Sequence, residues 1–252
     1  FTDLSTVAVY SIYSMIVSNL QNIALSFTNG MESVFGDMLA RKEIDNLNRT
    51  FDLYETLISI TSIILFSITG VMIIPFVKIY TSGIEDANYI VPFFSVLLVA
   101  ESLCYCLRMP YHALVTAAGK FKDTKTAAYG EVIINIVISV GMVYKFGLIG
   151  VAIGRLSGSM FRFIYYVVYI SKHLVARNII LFARRFIVNA FNFILVFFTG
   201  YNIIRLVDID DYLKWGMCSC FIALVSVIIT VFINYLAYRT TLKTALRRII
   251  RR

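Results

Sequence analysis

Seven stretches of this chain read as membrane spans by their length and apolar character, and that feature limits the expected fold more than any other. A membrane-spanning helix needs about 20 predominantly apolar residues. The sequence supplies such runs at 10–40, 53–80, 89–116, 126–144, 148–170, 186–206 and 215–238. Inside hydrocarbon every backbone N–H and C=O must find a partner within the protein, which leaves helices and closed barrels as the spanning structures. Runs of this length select helices. The expected fold is therefore all-α, a polytopic transmembrane bundle of about seven spans. Composition agrees, because 59% of the residues are hydrophobic and 15% are charged, whereas a soluble domain carries roughly 25% charged residues. The first run is the longest and carries more polar residues than a lipid-facing helix should.

The net charge of +8 takes its meaning from where the cations sit. A nucleic-acid surface gathers them on one folded face; here they lie in short segments between apolar runs, so nucleic acid is not an expected partner. Arg41, Lys42 and Arg49, then Lys120, Lys122 and Lys125, then Lys172, Arg177, Arg184 and Arg185 fall on one side of the membrane. The tail adds Arg239, Lys243, Arg247, Arg248, Arg251 and Arg252 to that side. Lys78, Lys145, Arg205 and Lys214 occupy the other. Cytoplasmic loops collect Lys and Arg, so the sixteen-to-four asymmetry predicts a cytoplasmic C-terminus. Seven crossings then put Phe1 outside, and at least one further helix is expected to precede it. Cys104, Cys106, Cys218 and Cys220 lie within apolar runs without metal-ligand spacing, so no metal site is expected and they read as buried thiols.

Three arginines remain inside the spans, Arg108, Arg155 and Arg162, with Glu101, Glu131 and Glu32 as acidic counterparts. Each such charge costs roughly 2.5–3.5 kcal/mol to insert, so it is expected to face a bundle interior or a watery cavity. Positions three, four and seven apart share a helix face. Glu101, Tyr105, Arg108 and His112 form one stripe, with Pro110 beside it as a site for a kink. Arg155, Ser159, Arg162, Tyr166 and Tyr169 form a second, and Glu131, Asn135 and Ser139 a third. The first run contributes Ser11, Ser14, Ser18, Asn22, Ser26, Asn29 and Ser33. Four polar stripes in lipid predict convergence on one hydrated cavity. The plainer reading is that Glu131 and Arg108, near the interface, merely snorkel or pair, and that His112 is a hydrogen-bonding residue rather than a proton carrier. Gly150, Gly154 and Gly158 repeat a small-xxx-small pattern that admits close packing of another helix.

The order of several short words along the chain resembles the bacterial polysaccharide flippases of the multidrug/oligosaccharidyl-lipid/polysaccharide exporter superfamily, which export O-antigen or capsule repeat units. The words are Val9-Tyr10-Ser11-Ile12-Tyr13, Phe35-Gly36-Asp37-Met38, Arg108-Met109-Pro110-Tyr111, Ala117-Ala118-Gly119-Lys120-Phe121-Lys122-Asp123-Thr124, Glu131-Val132-Ile133-Ile134-Asn135-Ile136 and Gly147-Leu148-Ile149-Gly150-Val151-Ala152-Ile153-Gly154. The resemblance implies two six-helix lobes related by a pseudo-twofold axis, followed by two further helices. By that likeness residues 1–172 are the C-terminal lobe without its first helix, and residues 173–252 are the two additional helices with a basic cytoplasmic tail. The N-terminal lobe would be a missing partner. The resemblance further implies a multi-pass protein of the bacterial cytoplasmic membrane that moves undecaprenyl-diphosphate-linked oligosaccharide to the outer leaflet by alternating access. No catalytic residue and no cofactor are then expected, beyond coupling to H+ or Na+.

That function would suit the stripes chemically. Planar guanidinium groups bind phosphate oxygens bidentately and stay charged, so Arg108, Arg155 and Arg162 are the expected contacts to the lipid-linked diphosphate. Tyr105, Tyr166, Asn22, Asn29 and Asn135 offer hydroxyl, amide and aromatic partners to sugars. Glu101 and Glu131 would balance the charge or couple an ion. A drug/cation antiporter of the same superfamily is the alternative, and it should favour carboxylates over arginines in its cavity. A membrane-embedded polymerase or acyltransferase would need a catalytic acid or base in an exposed loop. The outer acids Glu85, Asp86, Asp208, Asp210 and Asp211 stand without His or nucleophile companions in sequence. A purely structural membrane subunit is a third possibility, against which the in-membrane charges argue.

Overall fold

The structure, a computed structural model, describes residues 4–26, 28, 30–175 and 179–237. Among the described residues there are eight α-helices and no strand: α1 (Leu4–Ser26), α2 (Met31–Ala40), α3 (Ile44–Tyr80), α4 (Pro92–Ala117), α5 (Phe121–Phe146), α6 (Leu148–His173), α7 (Ile179–Ile204) and α8 (Tyr212–Ala237). The chain is an all-α helical bundle of transmembrane character. Five of the helices, α3, α4, α5, α7 and α8, are both long and apolar enough to cross a membrane. α1 and α6 are also long, at 23 and 26 residues. Their hydropathy is lowered by the very stripes of Ser, Asn, Arg and Tyr that mark them in the sequence.

One expected helix is corrected. Residues 10–40 do not form a single rod, because α1 ends at Ser26 and α2 begins at Met31. Gly30 sits between them at φ +86°, a left-handed conformation that a Cβ would penalise. Glu32 thereby leaves the set of interior charges and becomes an exposed residue in the first turn of α2, where a carboxylate complements the helix dipole. Phe35 anchors this short helix between the rings of Phe51 and Tyr54, with centroids 6.2 and 5.8 Å away.

α3 is the central post of the bundle. Its 37 residues reach about 56 Å at 1.5 Å per residue, well beyond a hydrocarbon core of about 30 Å. The surplus is the polar N-terminal part carrying Asp45, Arg49 and Asp52, at the end of the bundle where the loop cations collect. One side of α3 packs against α4, which in turn packs on α6, while the other side receives α7 and α8. The second contact is polar at its heart. Asn189 donates to Ser59 Oγ at 3.2 Å, and Thr230 donates to Asn192 Oδ1 at 3.4 Å. At the opposite end Trp215 Nε1 donates to the Met72 carbonyl at 3.1 Å.

α5 and α6 form the tightest pair, turning at Gly147. The glycine stripe explains the fit. A Cβ at Gly158 would lie 2.7 Å from the Glu131 carbonyl oxygen, and one at Gly154 would lie 2.8 Å from that of Asn135 and would overlap the Ser139 hydroxyl. The helix admitted by the small-xxx-small pattern is therefore α5. Its other face, with Val132, Ile133, Ile136, Val137 and Val140 all more than half exposed, is a surface for lipid, since water would not tolerate so continuous an apolar strip.

Candidate functional site

The polar stripes do meet, and they meet as ion pairs between helices. On α6, Arg155 donates to Glu101 Oε2 on α4 at 3.1 Å and to the Tyr10 hydroxyl on α1 at 2.6 Å. Seven residues further along α6, Arg162 donates to Glu131 Oε2 on α5 at 2.7 Å and to the Tyr166 hydroxyl at 3.2 Å. Glu131 uses its other oxygen to accept from Arg108 of α4 at 3.0 Å. Four helices thus contribute to one charged cluster with two levels about 10 Å apart along α6. Helical periodicity creates each stripe, and the glycine-mediated approach of α5 to α6 brings Glu131 within reach of Arg162.

Burial divides the arginines by role. The Arg108 side chain is 3% exposed and lies over the Tyr105 ring, 4.7 Å from its centroid, so its charge is committed to the protein. Arg155 and Arg162 are 33% and 21% exposed. Arg155 opens on a cleft of about 410 Å³ between α1, α4 and α6, lined also by Tyr10, Ser11, Ser14, Ser18 and Gln21. The Ser11 and Ser18 hydroxyls are satisfied by their own helix, donating to the carbonyls of Val7 and Met15. Arg108 Nε, Arg162 Nε and Ser159 Oγ are buried without a protein partner. Buried donors of this kind are normally satisfied by water or a ligand, which marks the space between α4 and α6 as a polar one.

The remaining expected site residues are distributed more widely. Asn135 accepts from Ser139 at 3.0 Å within the α5–α6 seam, where the stripe of α5 packs under the glycines. Asn22 is exposed on α1, next to Gln21 of the cleft but not itself in its lining, and Asn29 lies outside the described residues. Tyr166 is buried beside Arg162 and meets His112 edge-on at 6.0 Å. His112 itself contacts the Thr116 hydroxyl at 3.4 Å. Tyr169, on the same stripe, donates to Asp123 at 2.6 Å at the cation-rich end.

A second charged cluster, absent from the stripes read in the sequence, joins α3, α4 and α7. Glu55 of α3 accepts from Tyr111 of α4 and pairs with Arg185 of α7, and Arg185 also reaches Asp52 at 3.3 Å. The signal was present as periodicity, since Asp52, Glu55, Ser59 and Ser62 share one face of α3, and Arg185, Asn189 and Asn192 share one face of α7. Glu55 falls inside the expected run 53–80 but has no basic residue on its own face, and Arg185 falls one residue before the run 186–206, so neither reads as half of a pair.

No family model, curated protein or solved structure matches the chain.

Proposed function

We propose that the chain forms the C-terminal lobe and two accessory helices of a flippase that carries a lipid-linked, undecaprenyl-diphosphate oligosaccharide across the bacterial cytoplasmic membrane by alternating access. In this reading α1 and α6 cross the membrane alongside the five apolar helices, giving seven spans, and the cation-rich end faces the cytoplasm. The observation that carries the reading is the pair of partly exposed arginines, Arg155 and Arg162, held by glutamates from neighbouring helices, with Arg155 opening on a serine-lined cleft. Arginine in such a setting serves a phosphate-bearing headgroup, because its fork of donors matches phosphate oxygens and it keeps its charge when desolvated. The cluster holds three arginines against two glutamates, so it retains an excess positive charge for an anion.

The same pairing weighs against export of organic cations. Glu101 is matched by Arg155, and Glu131 by both Arg108 and Arg162, leaving the two cavity carboxylates neutralised. Complementation separates the two readings. The gene carrying this chain should restore surface glycan to a strain lacking its repeat-unit exporter, and the Arg155→Ala, Arg162→Ala double variant should not. Unchanged glycan in the double variant, or restored resistance to cationic dyes in place of glycan, would count against the proposal.

A further inference from the structure

We propose that one anionic phospholipid, drawn from the leaflet at the cation-rich end, lodges between α6 and α7 with an acyl chain in an apolar wedge and its phosphate at Lys172. The proposal does not depend on what the arginine–glutamate cluster carries.

The two helices pack only lightly on each other, and the gap between them is a cavity of about 270 Å³. Its walls are Met160, Phe163 and Val167 of α6 and Phe182 and Phe186 of α7, and its floor is the Glu55–Arg185 pair. The ion pair leaves that floor without a free charge, so the space is suited to hydrocarbon, and water gains little by entering a largely apolar cavity. Ile164, Ile179 and Ala183 are exposed at its mouth, which places the opening on the lipid-facing surface. An acyl chain reaches such a mouth by lateral diffusion; a soluble ligand does not.

The polar end of the occupant follows from a second groove. It runs along the flank of α6, shares Ile164 and Val168 with the wedge, and ends on Lys172 and His173. An apolar path therefore leads from the wedge to an exposed cation. From Met160 to Lys172 is about 18 Å along the helix, close to the roughly 15 Å of hydrocarbon in one leaflet. A lipid whose phosphate rests at Lys172 thus has its chain end at the depth of Met160. Arg184, exposed on α7 near the mouth, adds a second cation at the headgroup level, and such cations select anionic lipids over zwitterionic ones.

Native mass spectrometry of the full chain, released from nanodiscs holding equal phosphatidylglycerol and phosphatidylcholine, tests the site. One retained phosphatidylglycerol is expected. Lys172→Gln should lower the preference for phosphatidylglycerol about fivefold, and Ala183→Trp, which fills the mouth, should abolish retention. Retention unaffected by Ala183→Trp, equal retention of the two lipids, or displacement of both by added polyprenyl monophosphate would overturn the proposal. A Phe186→Trp variant, which exchanges one aromatic ring of the wedge wall for another, supplies an independent reading in vesicles, with Trp215 at the far end of the bundle as reference. Dibrominated phosphatidylglycerol should quench its fluorescence more than dibrominated phosphatidylcholine, and equal quenching would overturn the assignment.

Discussion

At the scale of single residues, the arginines separate into one that holds the protein together and two that keep part of their surface open, Arg155 on the cleft and Arg162 beside Tyr166. Removing one partner of a buried ion pair typically costs about 3–5 kcal/mol, because the other charge is left uncompensated. Arg108→Ala should cost that much and appear as a large fall in the thermal midpoint in detergent; an unchanged midpoint would show that Glu131 is held by Arg162 alone. Arg155→Ala, at a third exposed, should cost no more than about 1 kcal/mol while abolishing transport in the complementation assay. The chemistry of these positions was legible in the sequence, since charge in an apolar run is expensive wherever it occurs. Their pairing was not. Which glutamate meets which arginine depends on how closely α5 approaches α6, and the Glu55–Arg185 pair escaped because a shift of one residue in a helix boundary moves an arginine from span to loop.

Helix positions were readable because the apolar runs are long, and α3 to α8 fall where those runs lie. The break between α1 and α2 was not readable from hydropathy, because both sides of Gly30 have similar composition and the left-handed conformation of that glycine at the start of α2 is a backbone feature that hydropathy does not register. The glycine stripe was readable as a packing surface but not its partner. Gly154→Ala should destabilise the α5–α6 pair by about 1–3 kcal/mol through overpacking, since its Cβ would meet the Asn135 carbonyl and Ser139. Gly141→Ala, with open space around its Cβ, should instead stabilise α5 slightly, as alanine favours helix by about 1 kcal/mol. The two thermal midpoints should move in opposite directions, and a shared direction would contradict the packing described. Asn192→Leu, on the α7–α8 side, should cost only about 0.6–1.7 kcal/mol, the range of hydrogen bonds between membrane helices.

At the scale of the whole molecule, the bundle sorts its surface by solvent. Apolar strips on α5 and α8 face outward, while serines, tyrosines and paired charges gather where α1, α4, α5 and α6 meet. The division shows in the hydropathy as well: of the five helices apolar enough to span, α4 and α5 have the lowest values, 1.4 and 1.6, and α1 and α6, which share the polar interior with them, fall outside the five. The proposed function depends on that interior being wet while the chain is in a membrane. Thiol labelling measures it directly, using single cysteines placed at Ser11, Ser18 and Ile136 of the full chain in native membranes, with Cys104, Cys106, Cys218 and Cys220 replaced. A water-soluble maleimide should modify the cysteines at Ser11 and Ser18 and leave the one at Ile136 unreacted. Equal protection of all three positions would mean that the cleft is closed to water, and with it the arginines to any polar cargo.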